Sequence, residues 1–461
     1  MAYFYNTPQD QAEMLKAIGV KSLEELFASI PAPLQLDRPL DVPPALGEIE
    51  LTAHLQELAA RNTPATANVS FLGGGSYDHF VPAVVDYVAS RGEFYTSYTP
   101  YQAEVAQGNL QAMFEYQTLI CQLTGMDVSN QSLYDGGSAT AEAVLMSLAV
   151  TRREGRVVTI GSVHPEYRQT LKTYLTSLGV ELVTVEASGG TCDLEQLARV
   201  VNDETACVVA QHPNFFGALE ETDEIAKIAH DAGALFVVAF DPISLGVLKR
   251  PGDYGADIAI AEGQSLGTPM QYGGPYLGIM AAREKFVRRM PGRIAGQTVD
   301  RRGKRCWVLT LQTREQHIRR SKATSNICTN QGLFALRASV YLSALGPQGL
   351  REVAELCLQK AHYARGQLTG LERLEPAFAS PVFKEFVVRD RQHDVDGLVR
   401  AALAEGIFAG VPLGTWYPEL SDCLLVAVTE RRTRQEIDQL VAALGDRASS
   451  SPSSAETASY A

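Results

Sequence analysis

The sequence predicts an α/β protein, with a large domain on a mainly parallel sheet and a small C-terminal α/β domain. Three observations predict this. Short β-branched runs recur at 157–160, 182–185, 207–210, 236–240, 258–261 and 276–280, with helical or turn segments such as 163–179 and 221–233 between most of them. The runs are apolar almost throughout, as in strands covered on both faces. A smaller strand–helix–strand–helix series follows, with strands near 382–389 and 423–429 and helices near 394–405 and 433–444.

In chain order, Thr7 before Pro8 caps a first helix that Gly19 ends, with Met14, Leu15 and Ile18 on one face. Ser22-Leu23-Glu24-Glu25 reads as a capping box for a short second helix ending before Pro31, and a third is predicted over 44–62. Two long helical stretches, 330–346 and 348–372, separate the two sheets, and Thr433-Arg434-Gln435-Glu436 caps the last helix. A chain of 461 residues exceeds a single core. The expected division is an N-terminal helical segment 1–64, a large domain 65–330, linking helices with the small domain 331–446, and a disordered polar tail 447–461.

Composition excludes several classes. An apolar fraction of 46% and a charged fraction of 20% are those of a globular chain, not a disordered or fibrous one. A net charge of −13 argues against a nucleic-acid or anionic-membrane partner. No apolar run approaches the roughly 18–20 residues of a spanning helix, and the N-terminus lacks a signal-peptide pattern, so a cytoplasmic location is expected. Seven scattered cysteines without a C-x-x-C pair fit reduced thiols, and eight histidines show no metal-ligand spacing.

The architecture is similar to that of the fold type I, aspartate-aminotransferase-like pyridoxal-phosphate enzymes. Such a cofactor makes three demands on a chain. Its phosphate wants a helix N-terminus with small residues, which Asp135-Gly136-Gly137-Ser138 offers; the plain alternative is a glycine turn with a cap. Its ring nitrogen wants a carboxylate, which Asp241 offers at the end of the run 235–240; the alternative is an Asp-Pro turn. Its aldehyde wants a lysine after the run 258–261, where the chain reads Glu262-Gly263-Gln264-Ser265-Leu266-Gly267. No lysine is there, and Lys249 and Lys285 read as exposed flanking residues. Two further segments are chemically dense. Residues 94–102 place Tyr95, Tyr98 and Tyr101 around Pro100, as stacking or hydroxyl groups or simply as loop packing. Residues 314–330 run from basic to hydroxyl- and amide-rich, as an anion wall or a solvated charged face, and Cys328 reads as an inert small side chain.

Residues 7–31, 71–86, 94–143 and 314–331 together carry a resemblance to the P-protein of the glycine cleavage system, and more narrowly to the α-type chain of its split bacterial form. It runs from about residue 5 to 445. The resemblance implies an α2β2 complex with a β-type subunit that bears the Schiff-base lysine. Alignment on the shared Thr-Pro puts Gln264 at that lysine's position. It implies decarboxylation of glycine by pyridoxal phosphate covalently held by the partner, and transfer of the aminomethyl group to the lipoyl arm of H-protein. Carried over as interface or near-site groups are Tyr98, Tyr101, Gln102, His317, Arg319, Arg320, Lys322 and Asn326; Asp135, Ser138 and Asp241 become vestiges of a cofactor cradle. At Gly136-Gly137-Ser138 the chain departs from the family's more usual Glu or Ala followed by Gly or Thr.

Two other readings remain. One is a catalytically inactive regulatory or scaffolding homologue, and the other a stand-alone aminotransferase or desulfurase, which needs a lysine. The charge is also uneven. Residues 283–322 hold thirteen Lys/Arg against three Asp/Glu, a local +10, leaving −23 for the rest. That stretch is expected to face anionic groups: phosphate, glycine carboxylate or an acidic carrier protein.

Overall fold

The apolar runs of the middle of the chain assemble into one seven-stranded sheet. In spatial order its strands are Val128–Ser129, Gly278–Ala282, Ile258–Glu262, Leu235–Phe240, Thr205–His212, Arg156–Ile160 and Glu181–Val185. The last five are mutually parallel, and Gly278–Ala282 runs antiparallel to both of its neighbours, Ile258–Glu262 and Val128–Ser129. Val208, Val209, Phe236, Val237, Ile258 and Ile260 are buried because helices cover both faces. The computed structural model describes residues 6–36, 38–327 and 331–445, so Cys328 and the 447–461 tail lie outside the described residues.

The chain separates into two compact units, 1–63 and 64–461. In the first, the helix Pro8–Ile18 has Thr7 and Asp10 in a reciprocal capping box and Gly19 in the left-handed region, and a second helix spans Glu48–Ala60. The Ser22 capping box does not form. Glu24–Phe27 is a 3-10 turn without a side-chain cap, and the Glu25 carboxylate accepts the Lys21 N–H instead (3.0 Å). Pro31 biases the residue before it away from helical backbone, which leaves too few residues for an α-helix.

In the second unit, Gly332–Leu368 joins the two sheets. Gly346 (φ 61°, ψ −177°) and Pro347 break it where the sequence divides its two helical stretches. Ala335, Ala338 and Tyr341 pack on the large core, whereas Ala361, Ala364 and Leu368 pack on the small one. The small sheet is antiparallel, in the order Leu374–Pro376, Glu385–Asp390, Cys423–Ala427, Val411–Pro412, and the Thr433–Glu436 capping box opens the final helix as expected. Val69–Ser70 pairs in parallel with Ile407–Phe408, so the start of this unit is tied to its C-terminal part.

One element was illegible in the basic stretch. Ile294–Val299 and Arg305–Thr310 form an antiparallel hairpin whose turn is held by Asp300 Oδ1, which accepts from Arg302 N (2.7 Å) and Lys304 N (2.9 Å), with Gly303 at φ 75°. Asp and Gly between two β-branched runs are the signal that identifies such a turn.

Candidate functional site

The carboxyl ends of the parallel strands bring the cradle residues together, as the fold class requires. Asp241 directly follows Leu235–Phe240, and Gln264 lies just beyond Ile258–Glu262. The strand Glu385–Asp390 of the small sheet begins beside them and delivers Lys384, which is 1% exposed. Its ammonium lies 2.7 Å from Asp241 Oδ2, 3.5 Å from the centroid of the Tyr77 ring and 3.0 Å from His79 Nε2. An ammonium only donates, so His79 Nε2 accepts and its Nδ1–H donates to Glu430 Oε2 (2.6 Å). Asp241 also starts the turn, its Oδ1 accepting from Ile243 N (3.0 Å).

The helix Gly136–Thr151 shows a closed capping box. Asp135 Oδ1 accepts from Ser138 N (2.7 Å), and Ser138 Oγ accepts from Asp135 N (3.1 Å). The Gly136 N–H is taken as well, by Glu262 Oε2 (3.1 Å), while Glu262 Oε1 accepts from Gln264 N and Leu277 N (both 3.0 Å). Tyr167 lies over Gly136 so closely that a Cβ there would come within 2.2 Å of its hydroxyl, and His164 stacks on Tyr167 (4.4 Å between ring centroids). The Gln264 carboxamide is fully used: Oε1 accepts from Tyr77 N (2.9 Å), and Nε2 donates to Tyr77 O (3.0 Å) and Thr268 O (2.7 Å).

Pyridoxal phosphate does not fit this cradle. The carboxylate for its ring nitrogen is paired with Lys384, the helix end for its phosphate holds Glu262, and position 264 has no amine. The space left among these side chains is about 30 Å³, room for a water or two. Asp135 and Ser138 are engaged in helix capping, and the Glu262 carboxyl group already takes the Gly136 N–H that an anion at this helix end would use.

Burial gives the cradle an expected pH dependence. It pushes Glu262 up to about 8 and Glu385 up to about 7, and pushes His164 and His212 down to about 4. Raised carboxyls make the folded chain bind more protons than the unfolded one from about pH 4.5 to 8, so their contribution falls as pH rises. The lowered histidines act in the opposite sense, but only from about pH 4 to 6.5. Melting temperature should therefore fall between pH 6.5 and 8, and Glu262→Gln should flatten that slope; an unchanged slope would remove Glu262 as its source.

The tyrosine loop and the basic segment meet elsewhere, and among the described residues none lines both the cradle and the cleft beside this loop. The Tyr101 and His317 rings pack edge to face at 5.2 Å, and Arg293 Nη2 donates to the Tyr101 hydroxyl (3.4 Å). Glu315 Oε2 is 3.5 Å from His317 Nδ1 and 3.7 Å from Arg293 Nε. Tyr98 lines the cleft; Gln102, Arg319, Arg320, Lys322 and Asn326 are exposed, and Arg319 Nε donates to Thr313 O (3.1 Å). The basic stretch is not one wall. Arg283 and Arg314 are spent on backbone carbonyls, Arg293 is buried, and Arg301, Arg302 and Lys304 stand at the hairpin turn.

Sequence reasoning missed Lys384, Glu262, His79 and Arg293. A Lys-Glu pair inside the apolar run 382–388 was the available signal, since charges in such a run are buried and paired. His79 and Glu430 also meet Cys357, whose Sγ lies 3.5 Å from Glu430 Oε2, with Lys384 on the far side of the imidazole.

The match to known proteins is long and specific. Residues 1–444 match the family model for the glycine cleavage system P-protein. A probable glycine dehydrogenase (decarboxylating) subunit 1 from Carboxydothermus hydrogenoformans is 53% identical over 445 residues, covering 96% of this chain and 99% of that one. One from Geobacillus thermodenitrificans is 52% identical over 444 residues, covering 96% and 98%. Among solved structures, an inhibitor-bound glycine decarboxylase (P-protein) of the glycine cleavage system superposes with a TM-score of 0.87 at 46% identity, covering 96% and 99%. A sphingosine-1-phosphate lyase from Burkholderia pseudomallei, at 15% identity, TM-score 0.65 and coverage of 90% and 94%, shares the fold. The chain therefore belongs to the glycine cleavage system P-protein family.

Proposed function

We propose that this chain is the lysine-less, α-type subunit of a heteromeric glycine decarboxylase, working in the cytoplasm as an α2β2 complex. Pyridoxal phosphate on the β-type partner supplies the electron sink for loss of the glycine carboxylate, and the aminomethyl group passes to the lipoyl arm of H-protein. The observation that carries this reading is the closed cradle: Lys384 on Asp241, Glu262 at the Gly136 helix end, and Gln264 in place of an amine. A chain built this way cannot form the imine, so its contribution is made outside the cradle. Tyr98, Tyr101, Gln102, His317, Arg319, Arg320, Lys322 and Asn326 supply polar and cationic groups for a site shared with the partner. Exposed Phe80, Tyr87, Tyr95, Val105 and Tyr272 are apolar surface of the kind a partner covers. Six free cysteines among the described residues are consistent with a reducing compartment.

Co-purification with the β-type subunit followed by glycine/CO2 exchange, with and without H-protein, tests the proposal. This chain alone should give no exchange, and the pair should. If the β-type subunit alone has full activity that this chain does not change, the scaffolding reading replaces it. Within the complex, Arg320→Ala should lower exchange about tenfold, the effect of roughly 1.4 kcal/mol, without changing the melting temperature. Exchange equal to that of the unaltered complex would remove Arg320 from the site.

A further inference from the structure

We propose that Arg293 and Glu315 are positioning residues for the P-protein reaction, their largely buried ion pair holding the tyrosine loop and the basic segment together as one surface. The proposal rests on the shared-site reading above and assigns a role to two residues that reading leaves out.

Arg293 is anchored before it reaches either segment. It directly precedes the hairpin strand Ile294–Val299, and Ala295 is held by both polar atoms of the Gln117 side chain. The Ala295 N–H donates to Oε1 (2.8 Å), and its carbonyl accepts from Nε2 (3.0 Å). Gln107 does the same for Trp307 on the other strand, accepting from its N–H (3.0 Å) and donating to its carbonyl (2.8 Å). Both glutamines belong to the helix Gln107–Thr124, which follows the tyrosine loop in the chain. Arg293 O also accepts from Gln131 N (2.8 Å). The guanidinium therefore starts from a fixed base.

From that base it serves two segments far apart in the chain. The Arg293 side chain is 6% exposed and that of Glu315 10%. Nη2 donates to the Tyr101 hydroxyl (3.4 Å), the guanidinium carbon lies 5.8 Å from the Tyr101 ring centroid, and Nε is 3.7 Å from Glu315 Oε2. The same carboxylate oxygen is 3.5 Å from His317 Nδ1, and the His317 ring packs edge to face on Tyr101. The four side chains thus close a circuit of contacts. The basic segment is itself closed at its base: Thr324 N donates to Arg314 O (3.0 Å), and Arg314 Nη2 to Gly292 O (3.1 Å), next to Arg293. Its outer residues Ile318, Arg319, Arg320 and Lys322 are exposed. What the pair fixes is the placement of those cations relative to the tyrosines. A buried ion pair adds little net stability over an apolar pair of similar volume, because desolvation offsets the attraction. Register is what it supplies, since each charge accepts only its opposite as neighbour.

Two measurements test the proposal. The first uses this chain alone. In Glu315→Gln, which keeps the shape and removes the charge, hydrogen–deuterium exchange should speed up at least threefold in residues 96–106 as well as in 312–327, although position 315 lies only in the second stretch. The second uses the complex with the β-type subunit and H-protein. Arg293→Met combined with Glu315→Leu leaves no uncompensated charge, so the melting temperature should stay within a few degrees of the parent's. The kcat of glycine/CO2 exchange should nevertheless fall at least tenfold. If the double variant does not fold, the kcat of Glu315→Gln, expected to fall likewise, decides. Acceleration confined to 312–327, or a folded variant with unchanged kcat, would overturn the proposal. An unaltered complex no more active than the β-type subunit alone would instead sink the shared-site reading, and the first measurement would still report whether the pair couples the two segments.

Discussion

Lys384→Met should destabilise the chain by about 3–5 kcal/mol, the usual penalty for removing one partner of a buried ion pair. The pair in question is Lys384 Nζ with Asp241 Oδ2 at 2.7 Å, the lysine 1% exposed. Truncation strands a carboxylate at the end of a central strand and leaves His79 Nε2 without its donor. A partner substitution separates this account from simple loss of packing. Lys384→Met combined with Asp241→Asn should recover most of the lost stability, since no uncompensated charge remains. Chemical denaturation of the two variants measures this. A double variant as unstable as the single one would show that the ammonium matters through its contacts with Tyr77 and His79 instead.

Gln264→Lys should not turn the chain into a self-contained pyridoxal enzyme. It should instead lose about 3 kcal/mol or more, because a buried ammonium and an unpaired backbone amide replace a satisfied carboxamide. Tyr77 N loses its acceptor, and the carbonyls of Tyr77 and Thr268 cannot neutralise the charge. With pyridoxal phosphate added, no visible-edge absorbance should develop, because Lys384 still holds Asp241 and Glu262 still occupies the Gly136 helix end. Absorbance at the visible edge, with borohydride labelling of residue 264, would show that the missing lysine was the sole barrier and that the cradle opens readily.

These outcomes turn on features of unequal legibility. The strands of the large sheet, the Thr7 and Thr433 caps and the break near Gly346 follow from local pattern, because backbone geometry and apolar periodicity act over a few residues. The Ser22 helix failed for a local reason too: the residues before Pro31 were too few. The hairpin 294–310 was masked by its charges, which sit at its turn and do not prevent pairing. The candidate site was half legible. Tyr101 and His317 do meet, but through Arg293 and Glu315, which nothing in their immediate sequence marks as partners.

By itself the sequence determined the α/β class, the order of its elements and the lack of an amine at Gln264, since each is written in residues close together along the chain. Only the tertiary structure decided how the groups of the cradle are paired. Asp241 and Lys384 lie on different sheets, and their pairing depends on how the strand Glu385–Asp390 docks beside the strand Leu235–Phe240. Burial decides the rest. A carboxylate at a strand end can take any cation that packing delivers, and the fold delivers a lysine from the chain itself.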